Sequence, residues 1–285
     1  MFHSLRTIDI PAAVLLFAAL VIVPLGVDLI AVAGGPALPR RGLRMLTLVG
    51  FPAALLLASS FFVPQSLLAA ALAAPWMLVT WGLAGVGLLH AWRRRFAIDA
   101  PLGADIGLML LSIGGAWAVM YRLGRWPGGF EAVIAELTAV HFHYAGFALP
   151  VIVSLVAAES NNALTRCLAP LVAVAVLLLA IGITFSPLVE LLAAGLVVGA
   201  ALLLTTLLWR VASRTAHAPA RGLLVLSGLS LAAGAVLAML YALGEFTGAN
   251  WIGIPRMIPL HGLTMAFGFA LPAQLGFRLH VASKS

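Results

Sequence analysis

Three histidines lie inside apolar stretches of the chain, where ionisable side chains are costly and often mark a functional site. His141 and His143 are two residues apart in one stretch, and His261 lies in a later one. Imidazole nitrogens bind zinc, copper and iron, and they also serve as axial ligands of haem. The sequence therefore predicts a metal or haem site built from these three histidines.

Helical geometry gives the two neighbouring histidines different surroundings. A helix turns by about 100° per residue, so His141 and His143 point roughly 200° apart. Glu136 precedes His143 by seven residues and shares its face, so it is expected to orient that ring or accept its proton. Tyr144 is expected near the face of His141.

Further polar residues are predicted near the same end of the protein. The chain contains only three tyrosines. Tyr121 and Tyr241 are expected at helix ends close to the histidines, and Tyr144 directly follows His143. Glu190 and Arg256 each begin an apolar segment on that side. Together, the tyrosines, Glu190, Arg256 and the histidines predict one pocket at this end of the protein. The alternative is that the histidines only join helices by hydrogen bonds, as polar side chains in membrane bundles do.

The composition requires a mostly lipid environment. Of the 285 residues, 63% are hydrophobic and 9% are charged, and the mean hydropathy is +1.13. A soluble domain has about 25% charged residues. The net charge of +7 does not indicate nucleic acid, because the basic residues form short clusters between apolar runs. The single cysteine, Cys167, excludes an internal disulfide and a thiolate cluster.

The apolar runs predict an all-α membrane protein, since each crossing of the bilayer needs about 20 residues. The chain is expected to form a single transmembrane domain, 1–285. The nine predicted spans are 8–33, 43–62, 66–91, 104–122, 132–157, 166–185, 188–209, 222–243 and 256–280.

An internal repeat is predicted over residues 43–157 and 165–280. The sequence Gly-Phe-Ala-Leu-Pro occurs at 146–150 and again at 268–272, and three earlier landmarks recur in the same order. Four helices in each copy give both copies the same orientation, as in transporters with parallel repeats. The first helix precedes both copies, and its Val-Pro pair at 23–24 suggests a remnant of a third.

Loop charges predict the orientation. Of the 16 basic residues, four lie on one side of the predicted spans and the others on the opposite side. The four are Arg6, Arg122, Arg125 and Arg256. Because cytoplasmic loops carry the excess of Arg and Lys, the N-terminus is expected outside and the C-terminus in the cytoplasm. His141, His143 and His261 then lie in the outer half of the bilayer.

The remaining ionisable residues are interpreted as ordinary parts of the membrane interface. His3, His217 and His280 lie in a loop or near the ends of the chain, and His90 lies at the cytoplasmic edge. Asp28, Asp99 and Asp105 are likewise expected at that edge, without forming a relay.

Two resemblances follow from the histidine segments. The helices carrying residues 141–147 and 260–269 resemble those of the YndJ-like family, although Thr264-Met265 stands where that family has a polar residue and Asn. This resemblance implies a multi-pass protein of the bacterial plasma membrane and no particular activity. Residues 140–144 are similar to a segment of haem–copper oxidase subunit I whose two histidines bind two haems. The copper-site histidines of an oxidase are absent, so an oxidase is excluded.

Three functions remain open from the sequence. The first is a metal- or haem-binding protein, such as a redox enzyme or sensor, with a bis-histidine haem formed by His261 and either His141 or His143. The second is a transporter or channel for a small solute, which the parallel repeat and the prolines favour. The third is a structural or assembly protein. No Gly-x-x-x-x-Gly-Lys or Gly-x-Ser-x-Gly motif is present.

Overall fold

The protein is described by a computed structural model that covers residues 8–33, 35, 37–160 and 162–284. The described residues form helices and connecting turns without a β-strand. His3 and Arg6 lie outside them. The prediction of an all-helical membrane bundle is confirmed.

Nine helices make up the described part of the chain, numbered here in chain order. Eight of them are long and apolar enough to cross a membrane. They are α1 (Ile10–Ala33), α2 (Arg40–Ser60), α3 (Leu67–Arg93), α4 (Leu102–Leu123), α5 (Ala132–Ser160), α6 (Ala163–Phe185), α7 (Pro187–Arg214) and α8 (Ala218–Thr247). The ninth, α9, covers 254–282 and alternates between α and π geometry.

The helix ends differ from the predicted spans by a few residues for physical reasons. Helix α2 begins at Arg40, three residues earlier than predicted, because a long arginine side chain can lie along the helix and reach the polar interface. Helix α8 is also longer than predicted. Its first turn contains a proline, and it ends before Gly248, whose φ of 70° is the left-handed conformation typical of a helix end.

Helices α1, α5 and α9 contact one another and form the group called the central helices. Buried residues make up 83% of the apolar stretch of α5 but only 28% of that of α2. Helix α5 is therefore packed within the protein, whereas α2 presents most of its surface to lipid. The Tyr144 hydroxyl on α5 donates to the carbonyl of Val14 on α1 at 3.0 Å and joins two of the central helices.

Each central helix contains a π-helical turn shortly before a proline. The π-turns cover 18–22 in α1, 144–148 in α5, and 258–262 and 264–270 in α9. Pro24, Pro150 and Pro272 each follow a π-turn by two residues. Because proline has no N–H and clashes with the preceding turn, the chain widens locally and stays helical.

The two predicted repeat halves have similar neighbours. Helix α3 packs between α2 and α4, and α7 packs between α6 and α8. The repeat over 43–157 and 165–280 stays a prediction, and so does a third copy in α1.

Candidate functional site

His143 is a fully buried residue that joins two helices. Its Nδ1–H donates to the carbonyl of Ala139 at 2.8 Å, and its Nε2 accepts from the indole N–H of Trp76 at 3.0 Å. A carbonyl can only accept and an indole N–H can only donate, so these partners fix one neutral tautomer. Neither nitrogen has a free lone pair for a metal. The geometry thus separates His143 from the predicted ligand set.

His141 and His261 form a pair between α5 and α9. Their ring centroids are 6.5 Å apart, and the ring planes differ by 21°. Nδ1 of His141 donates to the carbonyl of Leu137 at 2.7 Å, and Nδ1 of His261 donates to that of Gly234 on α8 at 3.1 Å. Each ring therefore holds its proton on Nδ1 and carries a lone pair on Nε2. Metal-binding histidines are usually fixed in this way.

The separation of the two rings limits what they can bind together. Two imidazoles on opposite sides of one ion, at about 2.0–2.1 Å from it, have centroids about 6.3 Å apart. Two imidazoles at a tetrahedral angle would be closer. The described residues contain no group of three His, Cys, Asp or Glu side chains that could hold a metal ion. The centroid separation of 6.5 Å is thus closer to that of two ligands on opposite sides of one ion than to that of two ligands at a tetrahedral angle.

Glu136 belongs to a different cluster from the one expected. It is 2% exposed, and its Oε1 has no hydrogen-bond partner among the described residues. It interacts with the Tyr121 hydroxyl and with the charges of Asp9 and Arg122. The expected contact between Glu136 and the His143 ring is absent, because both ring nitrogens have other partners.

Arg122 fixes the end of α4 against the turn after α2. Its Nη2 donates to the carbonyls of Ser60 at 2.7 Å and Val63 at 2.6 Å. The guanidinium carbon also lies 4.7 Å from the ring centroid of Phe61. The arginine thereby places Tyr121, its neighbour in sequence, next to Glu136.

The other predicted supporting residues are divided among separate places. Tyr144 is buried against α1 through its bond to Val14. Tyr241 lies near Glu190 and Glu245, in a second tyrosine–carboxylate group at the same end of the protein. Arg256 is exposed at the start of α9, five residues before His261. The single pocket predicted from the sequence is therefore several groups, of which one contains two histidines.

At the opposite end, the structure brings together residues that the sequence analysis treated as ordinary. His90 and Asp105 are 1% and 0% exposed. The His90 Nδ1 lies 2.7 Å from Asp105 Oδ1, and Arg94 donates to Asp105 Oδ2 at 2.6 Å and also pairs with Asp99. His90 and Asp105 are interpreted from the sequence as ordinary residues of the membrane interface, but they are buried and paired with each other. The partners approach through the turn between α3 and α4, which sequence spacing does not reveal.

A buried amide in α9 was also missed. Gln274 is 0% exposed, and neither its Nε2 nor its Oε1 has a partner among the described residues. A Cβ atom added to Gly26 of α1 would lie 3.1 Å from that Nε2. The glycine therefore lets α1 approach the amide closely. A single glutamine near the C-terminal end of an apolar segment gives no signal of such burial.

Nine helices in all among the described residues, with polar clusters at both ends of the bundle, define a polytopic helical membrane protein. The chain belongs to the YndJ-like protein family, whose sequence profile matches residues 13–269. This confirms the family predicted from the histidine segments.

A relative in Bacillus subtilis (strain 168) carries the name uncharacterized membrane protein YndJ. It is 30% identical over 209 residues, which cover 73% of this chain and 38% of that protein. The chain thus spans less than two fifths of that relative's length. No solved structure matches the chain.

Proposed function

We propose that this membrane protein binds haem between His141 and His261. The observation that carries the proposal is the close, nearly parallel pair of imidazoles, each with its Nδ1–H held by a backbone carbonyl. Such bonds fix the ring orientation and make Nε2 a better ligand.

The number of available ligands favours haem over a bare ion. Zinc in proteins takes four ligands, or three and a water. Haem iron has four porphyrin nitrogens of its own, so two protein imidazoles would be enough to hold it. His141 and His261 supply two, at a separation suited to opposed ligation.

The surroundings of His261 suit an amphipathic macrocycle. Leu260, Leu263 and Phe267 are exposed along this part of α9, and an apolar ring can lie against them and the lipid. Arg256 lies five residues before His261, or about 8 Å along the helix axis. Its exposed guanidinium would pair with carboxylates such as haem propionates at the polar edge.

Two protein ligands determine the kind of chemistry. When bound, haem would supply reversible one-electron transfer. His141 and His261 would hold the group between α5 and α9. The function is therefore electron transfer or redox sensing in the membrane.

The test is purification from haem-supplied cells in mild detergent, followed by an absorption spectrum, haem extraction and metal analysis. We expect haem in stoichiometric amount. His141→Ala and His261→Ala should each lower haem affinity by more than roughly tenfold, because loss of an axial ligand exceeds the usual effect of losing an outer-shell partner.

The matched control is His143→Gln, whose amide can donate to Ala139 and accept from Trp76. This variant should keep its haem. Absence of haem from the folded wild-type protein, or a stoichiometric bare metal ion in its place, would refute the proposal. Equal haem loss in the His143 variant would also contradict the assignment of the two ligands.

A further inference from the structure

Helices α2 and α3 enclose an apolar groove on the outer surface of the bundle. Near the arginine-rich end the helices are in close contact, since a Cβ atom at Gly82 would lie 2.6 Å from Leu46. Beyond that contact they separate and leave a volume of about 360 Å³. Its walls include Val49, Pro52, Ala53, Leu56, Pro75 and Leu78.

The groove has the length of one leaflet. Its α2 wall extends from Leu46 to Leu56, which is about 15 Å of helix. The hydrocarbon core of a bilayer is about 30 Å thick. The groove begins two residues after Arg44 and therefore occupies the half of the core next to the arginine-rich end.

Four arginines lie beside the end of the groove nearest the surface. Arg40, Arg41 and Arg44 are exposed on the first turns of α2. Arg93 is exposed at the end of α3, and its Nη1 donates to the carbonyl of Ala37 at 3.3 Å, which places it next to the start of α2. None of the four forms an ion pair within the described part of the chain. Their positive charge is therefore available to an external anion.

From this combination we propose that the groove binds one acyl chain of an anionic phospholipid, whose phosphate pairs with these four arginines. The apolar walls fit a hydrocarbon chain, and the charge at one end selects a negative headgroup. A second protein helix would need a contact surface across both leaflets, whereas this groove ends near the middle of the core. The proposal is independent of haem binding.

The test compares lipid binding by the intact purified protein, using native mass spectrometry after reconstitution in mixed phosphatidylglycerol and phosphatidylcholine vesicles. We expect preferential retention of phosphatidylglycerol. Each Arg→Gln change at positions 40, 41, 44 and 93 should weaken that retention about fivefold, the effect expected of one basic residue near an anionic surface.

Matched variants distinguish the effect of the groove on lipid retention from the effect of positive charge in general. Val49→Trp should fill the groove and reduce lipid retention, whereas Leu48→Trp, which adds the same ring at an adjacent exposed position, should leave it unchanged. Changes of Arg210, Arg214 and Arg221 to Gln remove charge from the same end in the other half and should also have little effect.

Three results would overturn the proposal. The first is equal retention of the two lipids by the wild-type protein. The second is equal loss of retention in the groove variants and their controls. The third is full competition by glycerol phosphate, which has the headgroup charge and no acyl chain, because the groove would then contribute nothing.

Discussion

At the residue scale, the second nitrogen of each imidazole decides what the ring can do. His141, His143 and His261 all donate Nδ1–H to a backbone carbonyl. Only His143 has its Nε2 occupied, by Trp76. The sequence predicts that the three histidines lie within the membrane. It does not predict this partner, because Trp76 is 67 residues away and any apolar helix could have faced the ring.

Loss of the indole N–H should therefore reveal the structural role of His143. Trp76→Phe keeps an aromatic ring but leaves the buried His143 Nε2 without a donor, which costs about 1–3 kcal/mol. The free energy of unfolding in detergent should fall by that amount, while haem binding is unchanged.

The comparison variant is Trp81→Phe. Trp81 is exposed, and its Nε1 donates to the carbonyl of Ser112 at 3.2 Å. Its replacement should change stability by less than about 0.5 kcal/mol. A similar loss of unfolding free energy in both variants would contradict a larger contribution from the buried hydrogen bond between Trp76 and His143.

At the element scale, prolines and buried charges were predictable only in part. Pro24, Pro150 and Pro272 are visible in the sequence, but π-turns before all three are not. Proline removes a donor, and the surrounding helices determine whether the chain breaks or widens. The breaks near Pro64 and Pro187 show the other outcome, since α2 ends at Ser60 and Pro187 begins α7.

The connection between α3 and α4 depends on Asp105, which contacts both His90 and Arg94. Asp105→Asn removes the negative charge and leaves the mostly buried Arg94 with Asp99 as its remaining carboxylate partner. Removing one partner of a buried ion pair costs about 3–5 kcal/mol, so we expect a loss of that size in chemical unfolding.

The matching surface change is Asp28→Asn. Asp28 is 52% exposed and pairs with Arg278 at 3.3 Å. Because exposed pairs contribute about 0–1 kcal/mol, this variant should remain close to wild-type stability. A smaller loss for Asp105 than for Asp28 would contradict the assigned role of the buried cluster.

At the scale of the whole molecule, composition and hydropathy predict nine membrane helices, because lipid requires long apolar segments. Eight of the nine helices in the described part of the chain are long and apolar enough to cross a membrane. They could not predict which helices are central. Helix α2 and helix α5 both have a hydropathy of 1.6, yet their buried fractions differ threefold. The buried fraction of a helix depends on which other helices pack against it, and the hydropathy of its own sequence carries no information about those neighbours.

The orientation is a prediction that labelling can test. In a Cys167→Ser background, Ala249→Cys places a thiol at the end carrying the histidine pair, and Ser283→Cys places one at the opposite end. A membrane-impermeant maleimide should label only position 249 in intact bacterial cells, and both positions after permeabilisation. Labelling of position 283 alone in intact cells would reverse the assigned orientation.

The hydrogen bond from Tyr144 to Val14 also bears on how the protein is made. Its two residues are 130 positions apart, so α1 leaves the ribosome well before α5 exists. At about 5–20 residues per second, α1 waits roughly 7–26 s for this partner. Its hydropathy of 2.6, well above the 1.6 of α5, allows it to remain alone in lipid during that time. Biogenesis thus accounts for the high hydropathy of a helix that becomes largely buried in the bundle.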